Sequence, residues 1–207
     1  MHFLITAGGT REYIDPVRFI SNASSGRMGY ALTRAALCAG HEVTLITTPV
    51  ALKPPGRART IEIQTAAQMF DVIKKHFVKC DCLIMAAAVS DYTPARKAKT
   101  KIKKNNKPLI IKLKPTTDIL KWAGKRKGHK DTKQLVVGFA LEDKKLRERA
   151  EKKLKEKNLD MIIANTTTSI GTETSTVQIK RPGLSWVKIE RTTKASIAKK
   201  IIALLAS

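Results

Sequence analysis

Serines, glycines and one asparagine crowd into Ser21-Asn22-Ala23-Ser24-Ser25-Gly26-Arg27-Met28-Gly29. Those residue types at a helix start suit an anion. After a buried strand, unpaired backbone N–H groups and the positive end of the helix dipole point the same way. Ser24 or Ser25 can cap the helix, because a hydroxyl accepts from the free N–H groups of the first turn. Gly26 and Gly29 let other backbone come close. An ordinary capped surface helix would explain Ser-Ser-Gly alone. However, Gly8-Gly9-Thr10 ends the preceding apolar run and offers more bare amides to the same crevice. Together the two segments point to a phosphate site.

The elements that must hold this site alternate along the chain. The apolar run 2–7 leads through a loop at 8–22 to a helical pattern at about 25–39, which Gly40 closes as a C-cap would. Strands are expected at 41–47, 60–64, 82–88, 109–113, 134–141 and 160–164, with helices at about 66–78, 142–157 and 194–205. Thr117 is expected to cap a short helix containing Asp118, Ile119, Leu120 and Trp122. Short, unbroken apolar strands separated by helices predict an α/β fold, a Rossmann-like parallel sheet with helices on both faces. Two alternating segments joined by Pro182-Gly183 predict a C-terminal hairpin. In such sheets a ligand sits beyond the carboxyl ends of the strands. Those ends carry Gly8-Gly9-Thr10, Ala86-Ala87-Ala88-Val89-Ser90-Asp91, Gly138-Phe139-Ala140 and Ala164-Asn165-Thr166. Neither G-x-G-x-x-G nor G-x-x-x-x-G-K-[ST] occurs, which removes support for the usual dinucleotide and P-loop readings.

The 207 residues suit one domain with a lysine-rich flap and strand extension at about 93–115. No apolar run is long enough to span a bilayer, and no basic-then-apolar leader is present, so a cytoplasmic location is expected. Three cysteines without zinc-ligand spacing read as reduced, structural thiols. Forty Lys and Arg against seventeen Asp and Glu give a net charge of +23. That charge makes a polyanion-binding protein the main rival from another functional class. Yet aromatics are only 5% of the chain, too few for base stacking along its surface, and no nucleic-acid-binding motif is visible.

Several stretches together resemble one family: ITAGGTREYIDPVRFISNASSGRMG (5–29), AAAVSDYTP (86–94), KIKK (101–104), TDIL (117–120), VGFALE (137–142), KNLD (157–160) and AN (164–165). They are similar to phosphopantothenoylcysteine synthetase, also called phosphopantothenate–cysteine ligase, of coenzyme A biosynthesis. The similarity runs in order over about residues 3–205, and the ten-residue offset between Asp91 and Lys101 also resembles bacterial members; many of those are fused to a flavin-dependent decarboxylase, and a stand-alone synthetase is expected here. It implies that a nucleoside triphosphate, CTP in bacterial members, activates the carboxylate of 4′-phosphopantothenate as an acyl-cytidylate with release of pyrophosphate. The cysteine amine then displaces CMP. Mg²⁺ would accompany CTP, no flavin is expected, and such chemistry needs neutralised phosphates and a polarised carbonyl more than a reactive side chain.

The resemblance also implies roles. Asn22 would polarise the substrate carbonyl. Ser24, Ser25 and Gly26 would hold the substrate phosphate. Gly8, Gly9, Thr10, Ala86, Ala87, Ala88, Asp91, Thr117, Asp118, Ile119, Leu120, Phe139, Lys153 and Lys157 would contact the nucleotide. Lys101 would reach in from the flap to act on the intermediate, a task suited to an ammonium on a flexible stem. Metal ligands are not indicated. Thr117 stands where the family usually has proline, and Asp143 where it usually has threonine. A homodimer formed through the strands at 109–113 is expected. Use of ATP in place of CTP is the nearest alternative, since no residue reads the base unambiguously.

Overall fold

Unbroken apolar strands need cover on both faces, and this chain supplies it by alternating them with helices. The computed structural model describes residues 1–128, 134–167 and 171–206. In chain order, β1 (His2–Ala7) leads into a hairpin of β2 (Arg11–Tyr13) and β3 (Phe19–Ser21), then α1 (Arg27–Cys38). Next come β4 (Glu42–Thr47), β5 (Arg59–Glu62), α2 (Ala66–Phe77) and β6 (Cys82–Met85). An arm of β7 (Tyr92–Pro94) and β8 (Leu113–Pro115) follows, then α3 (Ile119–Arg126), β9 (Leu135–Leu141), α4 (Leu146–Glu156) and β10 (Met161–Asn165). The chain closes with β11 (Thr174–Lys180), β12 (Val187–Thr193) and α5 (Lys194–Ala206).

One eight-stranded sheet has the order β12-β11-β10-β9-β6-β1-β4-β5. The six strands from β10 to β5 run parallel, and β11 and β12 add antiparallel steps at one edge. Strand order therefore reverses between β1 and β6, where a doubly wound sheet opens a crevice. Alternation along β1 sends Phe3, Ile5 and Ala7 to a core under α1 and α5. Leu4 goes to the opposite core, beneath α2, α3 and α4. Each such fully buried Leu, Ile or Phe contributes about 1.5–3 kcal/mol. A one-residue slip would reverse every one of these placements.

Four expectations change. The loop at 8–22 contains the β2–β3 hairpin, whose Glu12 is buried because its carboxylate accepts from the Ala66 N–H at the start of α2 (2.8 Å). The strand expected at 82–88 ends at Met85, and Ala88 pairs instead with the backbone beyond β1: Ala88 N–H donates to Gly8 O and Thr10 N–H to Ala88 O. The strand expected at 109–113 forms only from Leu113, since Lys112 O takes the Ala95 N–H and β7 offers no partner further back. The helix expected from Glu142 begins at Leu146, after Lys145 turns through a left-handed φ of 53°. Glu142 N–H is still held by Asn165 O, so the chain leaves the sheet late.

Candidate functional site

A cleft of ≈ 630 Å³ opens at the carboxyl ends of the parallel strands. Its floor is Met85 to Val89. One wall is the segment Asn22–Met28; the other is Thr116–Leu120 with Lys153 and Lys157. Phe139, Leu141, Glu142 and Asn165 close the far end, with Gly171 and Lys194 at the rim. Fifteen of the site residues expected from the sequence line this cleft: Asn22, Ser24, Ser25, Gly26, Ala86, Ala87, Ala88, Asp91, Thr117, Asp118, Ile119, Leu120, Phe139, Lys153 and Lys157.

The start of α1 differs from the capped helix expected. Its N-cap is Gly26 at φ 74°, without a side-chain cap. A Cβ there would meet Val50 Cγ1 at 3.3 Å and Gly8 N at 3.4 Å, in a backbone region that L side chains rarely enter. Consequently the Ser24 and Ser25 hydroxyls do not cap the helix, and neither has a hydrogen-bond partner among the described residues. They remain beside the positive end of the helix dipole, where an anion is favoured. Three residues on, a Cβ on Gly29 would stand 2.6 Å from Ala7 Cβ and 2.7 Å from Thr6 O. Gly29 thus seats α1 directly on β1.

Asn22 leaves β3 and crosses to the cleft floor. Its carboxamide nitrogen donates to Ala88 O and Val89 O, both at 3.3 Å. Gly8, Gly9 and Thr10 do not line the cleft but lie beneath it. Thr10 is buried; its hydroxyl accepts from Ser90 N–H at 2.9 Å, while the Gly8 carbonyl holds Ala88. These residues fix the floor's backbone from beneath.

On the opposite wall Asp118, not Thr117, caps α3: its Oδ1 accepts from Lys121 N–H at 2.9 Å. Its Oδ2 lies 2.8 Å from Lys157 Nζ. Burial pushes the Asp118 carboxyl up, but the Lys157 ammonium and the Lys121 N–H outweigh it, and the net shift is downward. Lys153 donates to Phe139 O at 2.8 Å. Burial, then the charge of Lys157, lowers its pKa, with Asp118, Glu142 and Asp91 pulling the other way. Asp91 stands at the mouth, its carbonyl accepting from Thr116 N–H, while the Thr116 hydroxyl donates to Ser90 O.

Lys101 is exposed on the lysine-rich segment and is not among the cleft's lining residues. Its neighbour Ile102 is tied to the β2–β3 turn. Sequence reasoning missed Arg27 and Lys194. Arg27 sits inside the serine-glycine stretch and donates to Gly171 O. Lys194, one basic residue among forty, carries no distinguishing signal. Burial, then the charge of Arg27, lowers its pKa. It missed Asp15 as well, a fully buried carboxylate.

The cysteines stay outside the cleft: Cys80 and Cys82 are buried and Cys38 exposed, all as free thiols. Burial pushes the Cys80 thiol up to about 12. Among the described residues no three metal-ligating side chains converge, and no helix is long and apolar enough to cross a membrane.

Compared with known proteins, residues 1–207 match the family model for the C-terminal domain of DNA/pantothenate metabolism flavoproteins. The chain belongs to this family. It is 46% identical over 165 residues to the coenzyme A biosynthesis bifunctional protein CoaBC of Bacillus subtilis (strain 168), covering 79% of this chain and 40% of that protein. A cysteine/cysteine sulfinic acid decarboxylase from an unknown prokaryotic organism is 44% identical over 203 residues, covering 96% of this chain and 56% of that one. The chain thus spans about half the length of these relatives. The crystal structure of the C-terminal domain of a CoaBC protein superposes with a TM-score of 0.84 at 38% identity, covering 99% of this chain and 93% of that one. The resemblance drawn from the motifs and the doubly wound fold both hold.

Proposed function

We propose that this domain joins 4′-phosphopantothenate to L-cysteine, with CTP activating the pantothenate carboxylate. One observation carries the reading: the cleft sets the Asn22 carboxamide between two anion holders of different kinds. On one side is the open first turn of α1 with Ser24 and Ser25; on the other are Lys153 and Lys157. A substrate with a phosphate at one end and a carboxylate at the other fits that layout, and a triphosphate fits the lysine wall. The CoaBC relatives are named for coenzyme A biosynthesis and the matching family for pantothenate metabolism, which supports a pantothenate-derived substrate.

In the first step a carboxylate oxygen attacks the α-phosphorus and the bond to pyrophosphate breaks. Asn22 donates to the substrate's carbonyl oxygen. Its present bonds to Ala88 and Val89 are long, so exchanging one for the substrate costs little. Lys153 and Lys157 offset the charge of the leaving pyrophosphate. In the second step the cysteine amine attacks the acyl carbon, the amide C–N bond forms, the C–O bond to phosphate breaks and CMP leaves. The amine's proton passes to solvent. Lys101, carried in by the flap, stabilises the phosphate oxygen as it departs. Positioning and electrostatics supply the acceleration. In this reading Mg²⁺ would arrive with the triphosphate, whose phosphate oxygens are its natural ligands. The exposed Leu109, Ile110 and Leu113 suit a second copy of the chain, and a cytoplasmic homodimer is part of the proposal.

The test is pyrophosphate release by purified protein with Mg²⁺, 4′-phosphopantothenate, cysteine and either CTP or ATP. Release that needs phosphopantothenate and prefers CTP, with ligated product seen by mass spectrometry, is the expected result. Turnover with ATP alone overturns the nucleotide. No turnover with either overturns the ligase, and leaves polyanion binding through the +23 charge, read from a steep salt dependence of nucleic-acid affinity.

A further inference from the structure

The two oxygens of Asp15 have separate tasks. Oδ1 accepts from Val17 N–H and Arg18 N–H, both at 2.8 Å, and so shapes the turn between β2 and β3. Oδ2 accepts from the Arg18 guanidinium, at 2.9 Å from Nε and 2.6 Å from Nη2, and from Ile102 N–H at 3.2 Å. Arg18 Nη2 completes the loop by donating to Ile102 O at 2.7 Å. Both backbone groups of Ile102 are therefore held, and Ile102 follows Lys101. Two further ties run the same way: Ala98 N–H donates to Ile14 O, and Lys97 lies 4.9 Å from the Tyr13 ring centre. At its other end the same hairpin runs through Ser21 into Asn22.

We propose that Asp15 is a positioning residue that latches the base of the lysine-rich flap to the hairpin carrying Asn22. The latch gives Lys101 a fixed pivot one residue away, at a set place relative to Asn22. The flap is thereby delivered to the same point in each turnover, although Lys101 itself is not among the cleft's lining residues. A buried carboxylate is costly unless its oxygens are filled by hydrogen bonds, and here three of the five come from groups that belong to, or bind, the flap anchor. This inference rests on the ligase reading for its consequence but not for its geometry.

Asp15→Asn separates the two tasks. An amide oxygen in place of Oδ1 keeps the turn, while the NH₂ group in place of Oδ2 faces the donors of Ile102 and Arg18. Ile102→Pro removes the flap-side N–H and leaves Asp15 and its turn intact. In both variants conversion of the acyl-nucleotide should slow by at least about tenfold while its formation stays within about threefold of wild type, the pattern of a misplaced group serving one step only. Amide exchange across residues 98–104 should quicken in Asp15→Asn. Equal loss of both half-reactions would mean that Asp15 only folds the hairpin, and would overturn the latch. So would unchanged exchange in Asp15→Asn. If the wild-type protein shows no ligation, the function proposed above fails, and the exchange comparison alone then decides the latch.

Discussion

The Lys157 ammonium sits 2.8 Å from Oδ2 of Asp118, while Oδ1 of the same carboxylate caps α3. One side chain thus joins the end of α4 to the start of α3 and, in the same act, holds a lysine at the cleft wall.

Asp118→Ala should cost about 1 kcal/mol for the lost cap and about 0.2–1 kcal/mol for a half-exposed pair. Asp118→Asn keeps the cap and loses only the pair. Because the folded carboxyl titrates below its ordinary 3.8, its contribution is whole above that value and fades as pH falls through the lowered one. Urea midpoints of wild type and Asp118→Asn should therefore differ at neutral pH and converge as pH falls below that lowered value. A constant difference would assign the pair no role.

Most of the sheet was legible because its strands are continuous apolar runs, and β1, β4, β6, β9 and β10 fall where those runs lie. The hairpin was not, since Arg11–Tyr13 and Phe19–Ser21 are too short to show a period and owe their form to distant partners such as Ala66. Thr65 and Gln68 were readable and overlooked: their capping box is a local pattern that starts α2. The dinucleotide fingerprint is absent as a string, yet its spatial parts are present. Gly26 at φ 74° approaches Gly8, Gly29 seats the helix on β1, and the β2–β3 excursion separates them from Gly8. A linear pattern cannot see across that insertion. The cleft lysines were named from family motifs rather than from charge, because Lys194 shows that a lysine among many others carries no signal of its place.

Gly29→Ala tests the seating of α1. The new methyl meets Ala7 Cβ and the Thr6 carbonyl, so the helix must lift or the strand must yield. A loss of about 1–3 kcal/mol is expected for such overpacking, with weaker phosphopantothenate binding because the first turn of α1 moves too. Gly40→Ala is the comparison: its φ is +81° but no atom lies within 4 Å of the added methyl. It should cost about 1–2 kcal/mol from backbone strain and leave binding alone. Urea denaturation and substrate titration read both, and equal effects on binding would separate Gly29 from the site.

Asn22 and Lys101 should fail at different steps. In the proposed ligation, Asn22→Asp removes the carboxamide donor assigned to the substrate carbonyl and sets a negative charge against a carboxylate. Acyl-nucleotide formation should fall by about 10²–10³, the scale of losing one oxyanion donor. Lys101→Gln keeps a flexible polar side chain, one bond shorter, but not the charge, so the intermediate should form and persist. Quenched-flow trapping distinguishes them, and equal accumulation in the two variants would refute the division of labour.

Lys153 offers a pH test with opposed signs. Burial and Lys157 lower its folded pKa below 10.5, against the pull of Asp118, Glu142 and Asp91. Its charge is therefore lost earlier than that of an exposed lysine as pH rises. Since kcat/KM reports groups of the free enzyme, kcat/KM for the nucleotide should decline on an alkaline limb below 10.5. Lys153→Arg, which stays charged, should move that limb upward; Lys194, also lowered, sets what remains. Stability runs the other way. The unfolded chain binds more protons at Lys153 than the folded one does, so this group's contribution to stability grows as pH rises through its folded pKa. Falling nucleotide efficiency with an undiminished urea midpoint would mark the loss as electrostatic, whereas a limb that Lys153→Arg leaves in place would take Lys153 out of nucleotide binding.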